Sequence, residues 1–253
     1  MPLLVMPLVA MSLTGCASTK AELEAPDVTV APYASLGAEP VWAVVPVRNE
    51  SGSSIANAFE ITDAIVKAAE EARGLRALPL NRVIAAMRAL DLETIETPGD
   101  ALAVADALGA DGVIVGVVTA YDPYDPPTLG LTLALFGRGT ALLGGNAVPD
   151  DPIALVSGAT DAGALPATSF ASRPLSTASE LLDARNHQVL MDLGEYARGR
   201  HDAEGPLGYR VYTARMDLYT QFVATTTIER LLQAERLRLA RQRIDRPRIT
   251  GAG

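Results

Sequence analysis

The alternation of apolar and polar residues is most regular between residues 41 and 136. Val41–Val47 and Gly109–Tyr121 are rich in β-branched residues and almost continuously apolar, as in strands buried on both faces. Leu75–Leu80 predicts a short strand between them. Thr128–Leu135 alternates strictly, which predicts a strand with one apolar face, antiparallel to the preceding strand across a short turn.

Helical spacing of apolar residues separates these strands. The first helix is predicted from about Ile55 to Arg73, with serines in the preceding turn as caps and Gly74 at its end. Its apolar stripe is predicted to contain Ile55, Phe59, Thr62, Val66 and Ala69. A second helix follows Asn81. A third opens at Thr97-Pro98-Gly99-Asp100, where threonine, proline and aspartate hold the positions they favour, and Gly109 closes it.

The last third of the chain predicts one more strand and a helical extension. Ser176–Asp183 is the strand, and residues from His187 to Arg200 follow as a helix. Residues 209–244 form a long helical pattern whose phase slips at Thr225–Thr227, which predicts a bend or two helices. The fold class is therefore α/β, an α+β sandwich with a mixed sheet of about four to five strands, plus a long C-terminal helix.

The N-terminus predicts export and a lipid anchor. Residues 1–13 are apolar, carry no charge, and have the length of a signal-peptide apolar region. They run into Leu13-Thr14-Gly15-Cys16, which resembles the lipobox of bacterial lipoproteins. The resemblance implies cleavage between Gly15 and Cys16, lipidation of Cys16, and, from Ala17 and Ser18, the outer membrane. One departure is that no Lys or Arg precedes the apolar region.

Net charge and cysteine content limit the classes of partner and the covalent links that the chain can have. The 253 residues carry a net charge of −9, which argues against a nucleic-acid binder, and one cysteine, which excludes an intrachain disulfide. Residues 230–248 are locally basic, with seven arginines against Glu235 and Asp245. This end is either a solvated helix terminus or a contact for anionic lipid or an acidic partner. The candidate contact residues are Arg236, Arg238, Arg241 and Arg243.

A second resemblance covers roughly residues 40–136. A strand ending in Pro46-Val47-Arg48-Asn49, a Ser/Gly turn with a long helix, and then residues 108–116 (LGADGVIVG) are similar to a group of envelope lipoproteins. That group includes the curli secretion channel, lipoprotein activators of penicillin-binding proteins, and the N-terminal domain of TolB. The resemblance implies a small α/β sandwich used in interaction modules and channel subunits. It carries over no functional residue.

The most distinctive exposed stretch is residues 121–127, Tyr-Asp-Pro-Tyr-Asp-Pro-Pro. Two tyrosines and two carboxylates held by prolines predict either a stiff hairpin turn or a protein-contact surface, with a calcium site as a weaker reading. The candidate contact residues are Tyr121, Asp122, Tyr124 and Asp125. His187 and His201 lie in polar surroundings near helix ends, and the sequence predicts no catalytic residue, metal site or cofactor.

These observations divide the chain into a signal peptide (1–15), a flexible tether (16–40), an α/β domain (41–200) with an irregular insertion (137–175), and a C-terminal helix with a basic tail (201–253). We expect a non-catalytic envelope lipoprotein that faces the periplasm, held in the bilayer by acylated Cys16, and that scaffolds, activates or assembles a protein complex of unknown membership. Self-association is a further expectation. The alternatives are a secretion-channel subunit of the curli type and a small-ligand-binding protein or hydrolase.

Overall fold

The computed structural model describes residues 25–34, 39–137, 142, 173–201 and 205–245. Within these ranges six strands form one mixed sheet, in the order β3-β1-β4-β5-β6, with β2 paired to β4. The strands are β1 Val41–Val44, β2 Arg48–Asn49, β3 Arg76–Ala77, β4 Gly112–Asp122, β5 Thr128–Gly137 and β6 Ser176–Asp183. The predicted fold class is confirmed.

Strand direction changes across the middle of this sheet. Strand β1 pairs in parallel with β3 and β4, and β2 is also parallel to β4. The β4–β5 and β5–β6 pairs are antiparallel, so the predicted central strand and its antiparallel neighbour are confirmed. The β4–β5 register shifts between Val118 and Ala120, which turns Tyr121 to the same face as its partner Leu129.

The described helices are α1 Ala58–Glu71, α2 Leu80–Ala89, α3 Pro98–Leu108, α4 His187–Ala197, α5 Val211–Ala214 and α6 Met216–Asp245. Helices α1 and α6 cover one face of the sheet, and α2 and α3 cover the β1 side of the other. Trp42 and Val44 of β1 therefore face the larger core, while Ala43 and Val45 face the smaller one. This two-sided burial explains the continuous apolar run of the first strand.

Helix α1 differs from its prediction in cap and orientation. The Asn57 side chain, and not a serine, accepts hydrogen bonds from the first-turn N–H groups. Ile55 and Phe59 were predicted to face the core but are more than half exposed, whereas Ile61 and Ile65 are buried. Ile55 precedes the helix and Phe59 lies in its first turn, where the apolar period does not yet determine which side faces inward. Helix α3 keeps its predicted Thr97–Asp100 capping box and its left-handed Gly109.

Helix α6 continues through Thr225–Thr227, so the predicted alternative of two helices meeting there is wrong, while the alternative of a bend stays a prediction. Thr226 and Thr227 donate their hydroxyls to the carbonyls of Phe222 and Val223. These internal hydrogen bonds allow Thr227 to be fully buried. The helical pattern is interrupted earlier, at Arg215, which is extended between α5 and α6.

Candidate protein-contact surface

The turn that joins β4 to β5 lies at the end of the sheet where the N-termini of α1 and α6 also lie. Its prolines provide no backbone N–H groups, and Asp122 accepts a hydrogen bond from the Tyr124 N–H at 3.2 Å. Tyr124 is 75% exposed and Asp125 is also exposed. Arg185 lies 3.7 Å from Asp122 and 3.9 Å from Asp183, both in exposed pairs. An aromatic ring held outwards by a short, stiff turn is available for a protein contact.

Tyr121, unlike the exposed Tyr124, packs against the body of the protein. It is half buried, packs against the larger core, and borders a cleft of about 210 Å³ between α1 and α6. The other lining residues are Asn57, Glu60, Ile61, Asp63, Ala64 and Lys67 from the α1 side, and Met216, Asp217, Thr220 and Gln221 from α6. We call this cleft the open groove. Its floor is apolar and its rim is polar, which is the usual make-up of a contact surface for a peptide.

Acidic groups dominate the rim of the open groove. Lys67 donates to Gln221 at 3.2 Å, and the Arg215 guanidinium forms a bidentate contact with Asp217. Within the described ranges, Glu60 and Asp63 have no hydrogen-bonding or ion-pair partner for their side chains. Burial and the nearby Glu60 carboxylate raise the pKa of the Tyr121 phenol. The Arg215 hydrogen bonds lower the pKa of Asp217, so that carboxylate stays ionised and paired.

The opposite end of the same helix pair is crossed by residues 26–31, which the sequence assigned to a flexible tether. The Ala31 N–H donates to the Arg73 carbonyl at 2.8 Å, and the Arg73 N–H donates to the Thr29 carbonyl at 2.9 Å. The Thr29 hydroxyl reaches Glu229 of α6 at 2.8 Å. We call this segment the strap. A composition of Ala, Pro and Glu gave no apolar period, and so the sequence offered no sign of these backbone contacts.

A buried polar cluster lies just beyond the strap. Glu235 of α6 is fully buried and accepts hydrogen bonds from the Tyr33 and Ser176 hydroxyls and from the Arg238 guanidinium. Arg238 also donates to the Leu142 carbonyl at 2.6 Å. Burial and the Glu235 carboxylate raise the pKa of the Tyr33 phenol well above its ordinary value. The pattern of apolar residues did not predict this cluster, although Glu235 stands at helical spacing between Ile228 and Leu239, where an apolar residue is expected.

The four predicted anionic-surface arginines have different environments. The Arg238 side chain is 14% exposed and donates to Glu235. Arg236 is exposed and donates to the Val30 carbonyl at 3.0 Å. Arg241 is exposed, and the side chain of Arg243 lies outside the described residues. The anionic-surface role stays a prediction for all four residues. Gly15 and Cys16 also lie outside the described residues.

The two histidines of the chain lie in different environments. His187 is exposed at the start of α4, and His201 packs edge-on to Tyr212 with ring centroids 6.2 Å apart. In the described ranges no three His, Cys, Asp or Glu side chains are grouped so that they could hold a metal ion. None of the helices described there combines the length and the apolar character needed to cross a membrane.

Comparison with known proteins gives partial structural similarities. No protein-family model and no curated protein matches the chain. The C-terminal domain of LpoB from Salmonella enterica is 25% identical over 45% of this chain and 78% of that one, with a TM-score of 0.32. Lipoprotein GNA1162 from Neisseria meningitidis is 15% identical over 68% of this chain and 91% of that one, with a TM-score of 0.38.

Hypothetical protein CT253 from Chlamydia trachomatis is 13% identical over 78% of this chain and 98% of that one, with a TM-score of 0.38. TM-scores of this size do not place the chain in a family. No function is transferred from these three proteins, since function depends on particular sites and not on a general likeness of fold.

Proposed function

We propose that this chain is a membrane-anchored lipoprotein facing the periplasm, and that it scaffolds, activates or assembles an envelope complex without catalysis. The observation that carries the contact role is the exposed Tyr124 on the acidic β4–β5 turn, beside the open groove. Exposed aromatic residues on a rigid support are favoured contact residues because they bury much area at little cost in conformational entropy. The Leu13–Cys16 motif supports the anchor.

The anchor can be tested separately from the contact. We expect the native chain to fractionate with membranes and to have the intact mass of a chain starting at Cys16 with acyl groups attached. A Cys16→Ala variant should lose the acyl mass and leave the membrane fraction, because the acyl chains supply the membrane affinity. Wild-type protein with an unmodified Cys16 would contradict this half of the proposal.

The contact can be tested with a photoreactive amino acid at position 124. We expect it to cross-link a specific envelope protein in cells, and the cross-link to weaken when Asp122 and Asp125 are both changed to Lys. Leu237 of α6 is 54% exposed beside Arg236, which donates to Val30, and provides a matched control position at the opposite end of the helix pair. Equal capture of the same protein from positions 124 and 237 would contradict a specific surface at the turn.

The two alternative functions remain separate predictions. No contact among the described residues specifically favours a secretion-channel subunit or a small-ligand-binding protein or hydrolase.

A further inference from the structure

The two ends of α6 have opposite charge character. The acidic open groove lies beside its first turns, whereas Arg241 is exposed near its end and Arg246 and Arg248 follow directly in the sequence. Ile244, among these arginines, is 81% exposed. The end of the helix therefore combines cations with an exposed apolar side chain. The groove combines apolar side chains with two carboxylates, those of Glu60 and Asp63, for which the described part of the chain provides no partner.

We propose that the basic segment 241–248, which comprises the end of α6 and the three residues that follow it in the sequence, docks into the open groove of a second copy of this chain. Arg246 and Arg248 would meet Glu60 and Asp63, and Ile244 would reach the apolar surface of Met216 and Tyr121. The inference does not depend on the lipid anchor or on another envelope protein, and so it can hold or fail independently of the proposed function.

Charge complementarity selects this occupant. The groove end of the molecule carries the acidic side chains of Glu60, Asp63, Asp122, Asp125, Asp183 and Asp217 and the cations Lys67, Arg185 and Arg215. Arg48 and Glu50, which follow β1 at the same end, pair with each other at 2.7 Å. The net charge of the whole chain is −9, so most contacts between two copies would bring like charges together. The basic helix end is the stretch that can approach this surface with attraction.

Geometry makes the contact intermolecular. Helix α6 extends from Met216 to Asp245, and a rise of 1.5 Å per residue separates Asp217 from Asp245 by roughly 42 Å. Three further residues to Arg248 span at most about 10 Å. The basic residues of one chain therefore cannot reach the groove of the same chain. Because the two docking surfaces differ, the contact is head-to-tail and generates either a closed ring or an open filament.

The strap shows that this helix pair already binds an extended segment. Residues 26–31 lie against the other end of α1 and α6, held by backbone hydrogen bonds to Arg73 and by Glu229 and Arg236. They border a cavity of about 270 Å³ that also contacts Ala68 and Ile228. The open groove continues the same seam between the helices. A second extended segment would occupy the part that the strap leaves free.

The test is a charge swap in the full-length chain, followed by sedimentation in mild detergent over a range of protein concentrations. We expect wild type to self-associate and the association to weaken about tenfold or more between roughly 0.05 and 0.5 M salt. The groove variant Glu60→Lys/Asp63→Lys and the tail variant Arg246→Glu/Arg248→Glu should each weaken it by a similar factor. A chain that carries all four substitutions should recover an association constant within about threefold of wild type.

A matched control reverses two exposed carboxylates elsewhere. Glu93→Lys/Glu96→Lys lies in the α2–α3 loop, beside the smaller core, and should leave self-association unchanged. Binding can also be measured directly with a labelled peptide of residues 241–250. We expect it to bind the tail variant, whose groove is intact, and to lose that binding when its four arginines are replaced by glutamine.

Three results would overturn the inference. The first is a wild-type chain that stays monomeric and a peptide that does not bind. The second is association that persists when either the groove or the tail is reversed, which would place the interface elsewhere. The third is a charge swap that fails to restore association although both single reversals abolish it. Loss of membrane anchoring in Cys16→Ala with self-association intact would support the anchor and would show that the self-association does not depend on it.

Discussion

The two ends of the α1–α6 helix pair are built from the same elements but use them differently. At the strap end, backbone hydrogen bonds and the buried Glu235 cluster join residues from five separate parts of the chain. At the open groove, the side chains are exposed, and two carboxylates have no described partner. Stability is thus concentrated at one end, and the other end is free to bind.

The largest effect is expected from removing Glu235. Glu235→Ala leaves the nearly buried Arg238 without its counter-ion, so we expect a loss of about 3–5 kcal/mol in the free energy of unfolding, measured by urea denaturation. Arg230→Ala is the control on the same helix. Arg230 pairs with Glu180 at 3.4 Å but is more than half exposed, so its loss should cost less than about 1 kcal/mol.

A double replacement tests whether the destabilisation comes from an unpaired buried charge or from lost packing. Glu235→Leu/Arg238→Met removes both charges together and should recover most of the loss caused by Glu235→Ala, since no buried charge is left unpaired. Equal destabilisation by Glu235→Ala and Arg230→Ala would show that the strap end is not the stable end.

The sequence predicted the two ends unequally because they depend on different kinds of information. Strands β4 and β5 and helix α3 could be predicted because each follows from a local period or a capping motif, such as Thr97 to Asp100. The turn at Tyr121–Pro127 could be predicted because prolines and aspartates act locally. The strap could not, since its hydrogen bonds join Thr29 and Ala31 to Arg73 across the chain.

The pairing of Glu235 was hidden for a related reason. A glutamate in an arginine-rich helix is normally read as part of a solvated surface, and only its helical phase relative to Ile228 and Leu239 indicated burial. Its partners Tyr33 and Ser176 lie 202 and 59 residues away. The open groove was likewise invisible, because α1 and α6 meet there only in the folded chain.

A smaller effect is expected from Tyr33→Phe, which keeps the buried ring but removes its hydrogen bond to Glu235. We expect a loss of about 1.5 kcal/mol, because Glu235 retains Ser176 and Arg238 as donors. The Ala31 amide donates to Arg73, and its hydrogen exchange reports the free energy of opening the strap. If the strap is released locally, that opening free energy should fall by at least the same amount, and exchange should become faster. An unchanged exchange rate at Ala31 would mean that the Tyr33 hydrogen bond does not stabilise the strap.

At the open groove the same kind of measurement should show a smaller change. Glu60→Lys/Asp63→Lys alters two exposed side chains without described partners, but Glu60 lies in the first turn of α1, where a negative charge is favoured. The free energy of unfolding should therefore fall by no more than about 1 kcal/mol. Urea denaturation of the variant used in the self-association test provides this measurement. A loss above about 2 kcal/mol would mean that the groove is part of the structural framework, and the contrast between the two ends would fail.

The smallest effect concerns the proton on Tyr121. Burial first, and then the Glu60 carboxylate, raise its pKa above 10, so the folded state favours the neutral phenol. That preference contributes stability below pH 10 and is lost as the pH rises through the raised pKa of the folded state. Glu60→Gln should lower the pKa of Tyr121 without bringing it fully back to 10, since burial remains. The phenolate absorbance difference between each protein and its Tyr121→Phe derivative isolates this one titration. An identical Tyr121 pKa with and without the Glu60 charge would mean that solvent screens this carboxylate from the phenol and that burial alone raises the pKa.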